Sequence, residues 1–288
     1  MSRPTELFSK SLQIVRTEGL SGLTREGKQF YYFSRLNPSY WRGQFKDELE
    51  VSVGDVTAKF DTKNQTAKNW FYPQLLDRDL HEAGLTRRLL EVLEESSVFY
   101  DLGANVGYFT ILASVACRSG EVHAFEIDRN LVHAINDSLR LNGSEATIVQ
   151  RAVSDTSNQT LEYVEGRVPE IKQGAAETRE VETITIDDYV SEHTPPDVMK
   201  VDVEGFEHNV LMGARGTFEQ GHPEVLFLEI HPDRLQQNGS DKHQVISLLQ
   251  EYGYEFHKLA DQWDPDSELT TLDPEQITDN TMVECRIT

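Results

Sequence analysis

The sequence predicts an α/β fold built on a doubly wound, mostly parallel sheet. Three observations predict it. An apolar run ending in Asp101 passes at once into a glycine turn and then into helical spacing. From residue 98 onward, strand-like runs alternate with helix-like ones, the order that a parallel sheet with crossover helices requires. The chain has 288 residues, 38% of them hydrophobic, which is enough to fill the core of one large domain or of one domain with an extension.

The first 80 residues precede that pattern and read as an N-terminal extension; 81–288 read as the main domain. Leu7, Leu12, Ile14 and Val15 have the spacing of a short amphipathic helix. Phe30, Tyr31, Tyr32, Phe33, Tyr40 and Trp41 cluster on a second helix. They either pack against the main domain or form a lid or homodimer surface that closes over substrate. Residues 50–60 alternate on both sides of Gly54-Asp55, a hairpin signal. Helical spacing returns at 85–93, with Arg87 and Arg88 on its polar side.

Strands are then expected at 98–101, 121–126, 146–153, 197–202 and 224–230, with 254–259 and 282–287 completing the sheet. Helices are expected at 107–117, 129–141, 206–219 and 241–252. An insertion at 159–195 carries two edge strands, T-L-E-Y-V and V-E-T-I-T-I, around a polar loop at 165–180. A second loop, acidic and punctuated by proline, covers 261–280.

The segment V-F-Y-D-L-G-A-N-V-G-Y-F-T, from Val98 to Thr110, is strand, tight turn and helix. Glycines let a backbone approach a ligand closely, and a helix N-terminus offers free N–H groups to an anion. A dinucleotide fingerprint needs G-x-G-x-x-G; here only Gly103 and Gly107 are present. Asp101 and Asn105 suit a pyrophosphate poorly, because a carboxylate repels it. Both suit a ligand with an amino-acid end. The second strand ends in Glu126, placed to accept from two ribose hydroxyls. The set fits S-adenosylmethionine better than NAD. The plain alternative is a turn that merely joins strand to helix.

The formal net charge is −22, so nucleic acid and anionic membranes are poor partners. Arginine outnumbers lysine and the acids are spread along the chain. That suits either an ordinary acidic protein or one from a high-salt cytosol. Cys117 and Cys285 lack metal or disulfide spacing and read as core residues. The start, M-S-R-P-T-E-L-F-S-K, has no apolar signal core, and no run of roughly 18 apolar residues could span a membrane. A cytoplasmic location is the expectation.

In doubly wound sheets, ligands bind beyond the C-terminal strand ends. The fourth strand ends K-V-D-V-E-G, and alternation puts Lys200, Asp202 and Glu204 on one face. The fifth ends F-L-E-I-H-P, with Glu229 and His231 on one face. His231 is then a candidate general base for a substrate hydroxyl. Asp202 with Glu229 could instead hold a divalent cation such as Mg²⁺, which lowers the hydroxyl pKa. Alternatively Lys200 pairs with Glu204 or Glu229, and His231 caps a helix or turns the chain before Pro232.

The motifs D-L-G-A-N-V-G-Y-F-T, A-F-E-I-D, T-I-D-D-Y and M-K-V-D-V-E-G-F-E-H-N-V-L-M-G-A, in that order, resemble the FkbM family of S-adenosylmethionine-dependent methyltransferases. The resemblance spans roughly residues 80 to 232. It implies a class I, Rossmann-like methyltransferase fold: a seven-stranded sheet with an antiparallel last strand. It also implies O-methylation of a hydroxyl, often on a sugar or a polyketide-like product. By this resemblance Asp101, Gly103, Asn105, Gly107 and Thr110 belong to the cofactor loop. Glu126 and Ile127 belong to the ribose strand end, and Ala152 and Val153 to the adenine pocket. Asp202, Glu204 and Gly205 match a motif near the transferred methyl, and Glu82 matches an upstream acid. The acceptor, a small hydroxylated metabolite or glycan, is not named by it. Two alternatives remain beside the methyltransferase reading: an NAD-dependent oxidoreductase and a cofactor-binding module without catalysis.

Overall fold

The structure, a computed structural model, describes residues 47–64, 71, 75, 79–164, 170–171, 178–259, 261–262 and 264–287. The two helices expected around 7–15 and 30–41, and most of the 165–180 loop, lie outside the described residues.

The hairpin forms as the alternation requires, with β1 (Glu48–Val53) antiparallel to β2 (Val56–Asp61). Its apolar positions Val51, Ala58 and Phe60 are buried, while Lys59 between them is exposed. Three further elements explain what that face meets. They are α1 (Ala83–Val92), α2 (Tyr108–Ala116) and α3 (Arg129–Asn142). The Phe60 ring stacks on Tyr108 of α2, with centroids 5.5 Å apart. The Lys59 N–H donates to Asn142 Oδ1 at 2.8 Å, and Asn142 Nδ2 donates to the Lys59 carbonyl at 2.7 Å. The hairpin therefore shares its core with α2 and α3.

Behind these helices lies an eight-stranded sheet. Its parallel strands are β3 (Val98–Leu102), β4 (Glu121–Phe125), β5 (Thr147–Val149), β10 (Val198–Val201) and β11 (Val225–Ile230). Beyond β11 come β14 (Thr281–Ile287), β12 (Tyr254–Leu259) and β13 (Leu269–Thr271). The order across the sheet is β13-β12-β14-β11-β10-β3-β4-β5, and β14 runs antiparallel to both neighbours. Seven of these strands reproduce the expected arrangement, including the antiparallel last strand. The eighth, β13, is a correction. It forms inside the region expected to be a loop, because the chain folds back and pairs Leu269 with Leu259. It covers an edge that β12 would otherwise expose.

Period-two alternation sorts each central strand between two apolar layers. Phe99, Val198 and Phe227 enter the layer with α1, α2 and the hairpin. Tyr100, Leu102, Met199, Val201, Leu226 and Leu228 enter the opposite layer. That second layer is completed by α5 (Glu207–Met212), α6 (Arg215–Glu219), α7 (Pro232–Gln237) and α8 (Lys242–Glu251), with α4 (Ile186–Val190) beside them. Both cysteines are buried. Among the described residues, no helix is long and apolar enough to cross a membrane.

Three further expectations are corrected. The 146–153 strand breaks in two, because the Val149 carbonyl accepts from both the Glu126 and Arg151 N–H groups and the chain turns out of the sheet. Its second half, β6 (Ala152–Val153), joins a separate four-stranded sheet with β9 (Arg179–Ile184), β7 (Thr160–Val164) and β8 (Glu170–Ile171). The two expected edge strands thus belong to this small sheet and not to the main one. The 206–219 helix breaks at Gly213-Ala214, where the Gly213 carbonyl accepts from the Asp187 N–H. The Asp187 carboxylate then caps α6, accepting from the N–H groups of Gly216 and Thr217 at 2.8 Å each.

Candidate active site

A cavity of about 500 Å³ opens at the C-terminal ends of β3, β4 and β10. Gly103, Asn105, Glu126, Ile127, Ala152 and Val153 line one side of it. Asp202 and Glu204 line the other, with Arg234 of α7. The loop after β3 is held open by two backbone bonds: the Gly103 and Ala104 N–H groups both donate to the Phe125 carbonyl at 3.0 Å. Glu126 fixes the loop tip as well. Its Oε2 accepts the Asn105 N–H and its Oε1 the Asp128 N–H, both at 2.7 Å. Burial pushes the Glu126 carboxyl up to about 8, against the pull of those two N–H groups.

A ligand with an amino-acid end and a ribose fits this wall. Asn105 Oδ1 and Asp202 Oδ1 are buried acceptors on the wall without a hydrogen-bond partner among the described residues. Such atoms are costly unless something donates to them. Phe125, Ile127, Val153 and Leu161 give the adjoining stretch an apolar surface suited to a base.

Four of the expected cofactor residues do not line the cavity. Asp101 is wholly buried beneath it, accepting from Thr110 Oγ1 at 2.6 Å. Gly107 sits at the N-terminal cap of α2. Glu82 precedes α1 with φ +42, its Oε1 3.5 Å from His81 Nε2. Asp101, with Thr110 bound to it, and Glu82 lie around Lys200, while Gly107 packs against Ile135. The Lys200 Nζ lies 3.4 Å from Asp202 Oδ2, 3.9 Å from Asp101 Oδ1 and 5.2 Å above the Phe109 ring centroid. Burial alone would depress the ammonium. The carboxylates of Asp202, Asp101, Glu82 and Glu229 outweigh burial and hold it above its ordinary value. Burial pushes Asp101 up while Lys200 pulls it down, and burial prevails. Glu82 rises to about 7 for the same first reason.

Alternation was expected to carry Lys200, Asp202 and Glu204 along one face. It stops with the strand at Val201. Glu204 takes φ +55 and turns away, so Lys200 pairs with Asp202 and Asp101 and not with Glu204. Glu204 Oε2 meets Arg234 Nε at 3.2 Å and His231 Nε2 at 3.3 Å. His231 occupies the cap position of α7, but its side chain caps nothing there. It is nearly inaccessible and sits among carboxylates: Glu207 Oε1 is 2.7 Å from Nδ1, and Glu229 Oε1 is 3.8 Å from Nε2. Burial disfavours the imidazolium, but Glu207, Glu229 and Glu204 outweigh it and raise the ring to about 9. Glu229 is pushed up to about 8, by burial first and Asp202 second. One ligand atom from each of Asp202, Glu229 and His231 lies within 4.8 Å of the other two.

Arg151, Arg234 and Glu207 were not legible as site residues. Arg234 and Arg151 reach the cavity from a helix and a bend whose direction only the fold sets. Glu207 had one signal, its place two residues after the glycine in E-G-F-E.

The model of the methyltransferase FkbM domain matches residues 101–256. Over 216 residues the chain is similar to the hexuronic acid methyltransferase AglP of Haloferax volcanii, at 29% identity, covering 73% of this chain and 82% of that one. Among solved structures, the methyltransferase FkbM from Methylobacillus flagellatus aligns at 14% identity and a TM-score of 0.45, over 97% of this chain and 57% of that one. The precorrin-6y C5,15-methyltransferase from Geobacter metallireducens aligns at 14% identity and a TM-score of 0.40, over 71% of this chain and 87% of that one.

Proposed function

The chain belongs to the FkbM methyltransferase family, and on that premise we propose that it methylates a hydroxyl oxygen of a sugar or glycan. It is an S-adenosylmethionine-dependent methyltransferase. The hexuronic acid methyltransferase to which it is similar supports a sugar acceptor. The observation that carries the reading is the position of Asp202 and Glu204. They line the cofactor-sized cavity and stand against the buried group of His231 and Glu229.

S-adenosylmethionine supplies an electrophilic methyl on a sulfonium. In this chain Glu126 would accept from the ribose hydroxyls, and Ile127, Ala152 and Val153 would flank the base. Asn105 and Asp202 would take the amino-acid end, with Gly103 giving the backbone room beside them. Asp101, Thr110, Gly107 and Glu82 support that wall from behind. The chain's remaining task is to align the acceptor and remove its proton. Glu204 reaches both the cavity and His231, so the hydroxyl proton would pass to Glu204 or Asp202, and on to the His231–Glu229 group once that group has released its own protons toward alkaline pH.

A second reading uses the same residues. Asp202, Glu229 and His231 would together hold a divalent cation that lowers the hydroxyl pKa. His231→Ala and Asp202→Ala should each cut turnover by about 10²–10⁴. If a cation is used, EDTA removes activity and Mg²⁺ or Mn²⁺ restores it; if not, EDTA has no effect. Full turnover in both variants would remove these residues from the chemistry.

The main test is methyl transfer to a panel of neutral hexoses, uronic acids and glycans, read as a mass gain of one methyl. An alkali-stable product is the expected ether. Release by mild alkali would show an ester on a carboxylate and overturn the hydroxyl reading. The −22 charge adds one expectation of a high-salt setting: the melting temperature should rise toward molar potassium chloride. A flat or falling trend would point to an ordinary acidic protein.

A further inference from the structure

The D-V-E-G-F-E segment folds one acid back underneath the rim. After β10, Glu204 and Gly205 take φ +55 and +100. A Cβ on Gly205 would lie 2.5 Å from the Arg234 Cβ, so the turn needs glycine there. The turn delivers Glu207 to the start of α5 with no accessible surface. Its Oε1 accepts the Gly205 N–H at 2.8 Å and lies 2.7 Å from His231 Nδ1. A carboxylate oxygen only accepts, so Nδ1 carries the proton. The other nitrogen, Nε2, is then the one turned to Glu204 and Glu229. Neither Glu207 nor His231 lines the cavity.

We propose that Glu207 is a positioning residue for the methyl transfer, fixing the ring orientation and tautomer of His231 so that Nε2 is the nitrogen that works at the rim. The inference rests on the reading that His231 acts there. It holds whether Nε2 takes a proton or binds a cation, because both need the neutral ring with its one hydrogen on Nδ1. A buried carboxylate is costly to keep unless its hydrogen bonds compensate. A glutamine would serve the Gly205 N–H equally well. Only the carboxylate also forces the proton onto Nδ1, because an amide can donate as well as accept.

The test uses the full chain labelled with ¹⁵N-histidine, with the His231 ring identified by its absence in His231→Asn. At alkaline pH, where the ring is neutral, the parent should show the Nδ1–H tautomer. Glu207→Gln and Glu207→Leu should shift it toward Nε2–H or a mixture. Turnover at the same alkaline pH should fall by about 10–100-fold, the usual effect of losing such a partner, with KM and cofactor affinity nearly unchanged. If Glu207→Leu does not fold, Glu207→Gln keeps the shape and decides. A folded Glu207→Gln with the parent tautomer and parent turnover overturns the proposal. Full turnover in His231→Asn overturns the underlying reading instead, and the spectra then separate that failure from a failure of the Glu207–His231 coupling.

Discussion

Asp101 and Lys200 are register partners on the adjacent parallel strands β3 and β10, and their charged groups face each other at 3.9 Å with almost no access to solvent. Lys200 is also 3.4 Å from Asp202, so one buried cation serves a carboxylate behind the cavity wall and one on it. Removing one partner of a buried pair leaves the other uncompensated. Lys200→Met should therefore destabilise the fold by about 3–5 kcal/mol, read from urea unfolding. An unchanged midpoint would mean that the carboxylates take up protons there at no cost.

Gly103 makes a second close approach. It has φ +81, and a Cβ there would sit 2.0 Å from the Asp202 carbonyl oxygen. A glycine that only made room for a ligand would, when replaced by valine, block the ligand and spare the fold. The geometry reverses that order, because the clash is with the backbone of a neighbouring strand end. Gly103→Ala should already cost about 2–5 kcal/mol, from an unfavourable dihedral plus overpacking. A variant with parent stability but no cofactor binding would restore the ligand-space account.

Glu126 joins the loop to the ligand. Both of its oxygens hold backbone N–H groups, yet each retains a lone pair for a ribose hydroxyl. Glu126→Ala should weaken S-adenosylmethionine binding by roughly 1.5–3 kcal/mol. Calorimetric titration of the variant against the parent decides it, and equal affinities would remove Glu126 from the site.

The sheet was legible because its signals are local. Each central strand is an apolar run ended by a polar residue, and the hairpin shows its alternation around Gly54-Asp55. Strand ends are less local. The 146–153 run is continuously strand-like, and only the bonds to the Val149 carbonyl break it. The cavity wall at Gly103, Asn105, Glu126 and Asp202 followed from topology, since these positions lie just past the ends of neighbouring strands. Arg234 and Glu207 did not, because a left-handed turn at Glu204 and Gly205 sets where α5 and α7 meet. A period-two reading cannot anticipate that turn.

The crowd of buried acids also sets how stability responds to pH. Burial raises Glu82 to about 7, Glu126 to about 8 and Glu229 to about 8, each from 4.5. Carboxylate neighbours raise His231 to about 9 from 6.5, despite its burial. Between the ordinary and raised values, the folded chain holds protons that the unfolded chain has released. Stability from such groups is complete below the ordinary values and is lost as pH rises through the raised ones. Glu284 works the other way: Arg88 and Arg286 hold it below its ordinary value in spite of burial, so its contribution is lost only in acid. The ligand-free protein should thus be most stable near about pH 5 and lose stability steadily toward about pH 9. Chemical denaturation across that range at constant high salt measures it, with general charge repulsion screened. Glu229→Gln, which cannot titrate, should flatten the slope between neutral and alkaline pH. Stability that rises over the same interval would mean these carboxylates are already ionised in the folded chain, held so by Lys200 and Arg234.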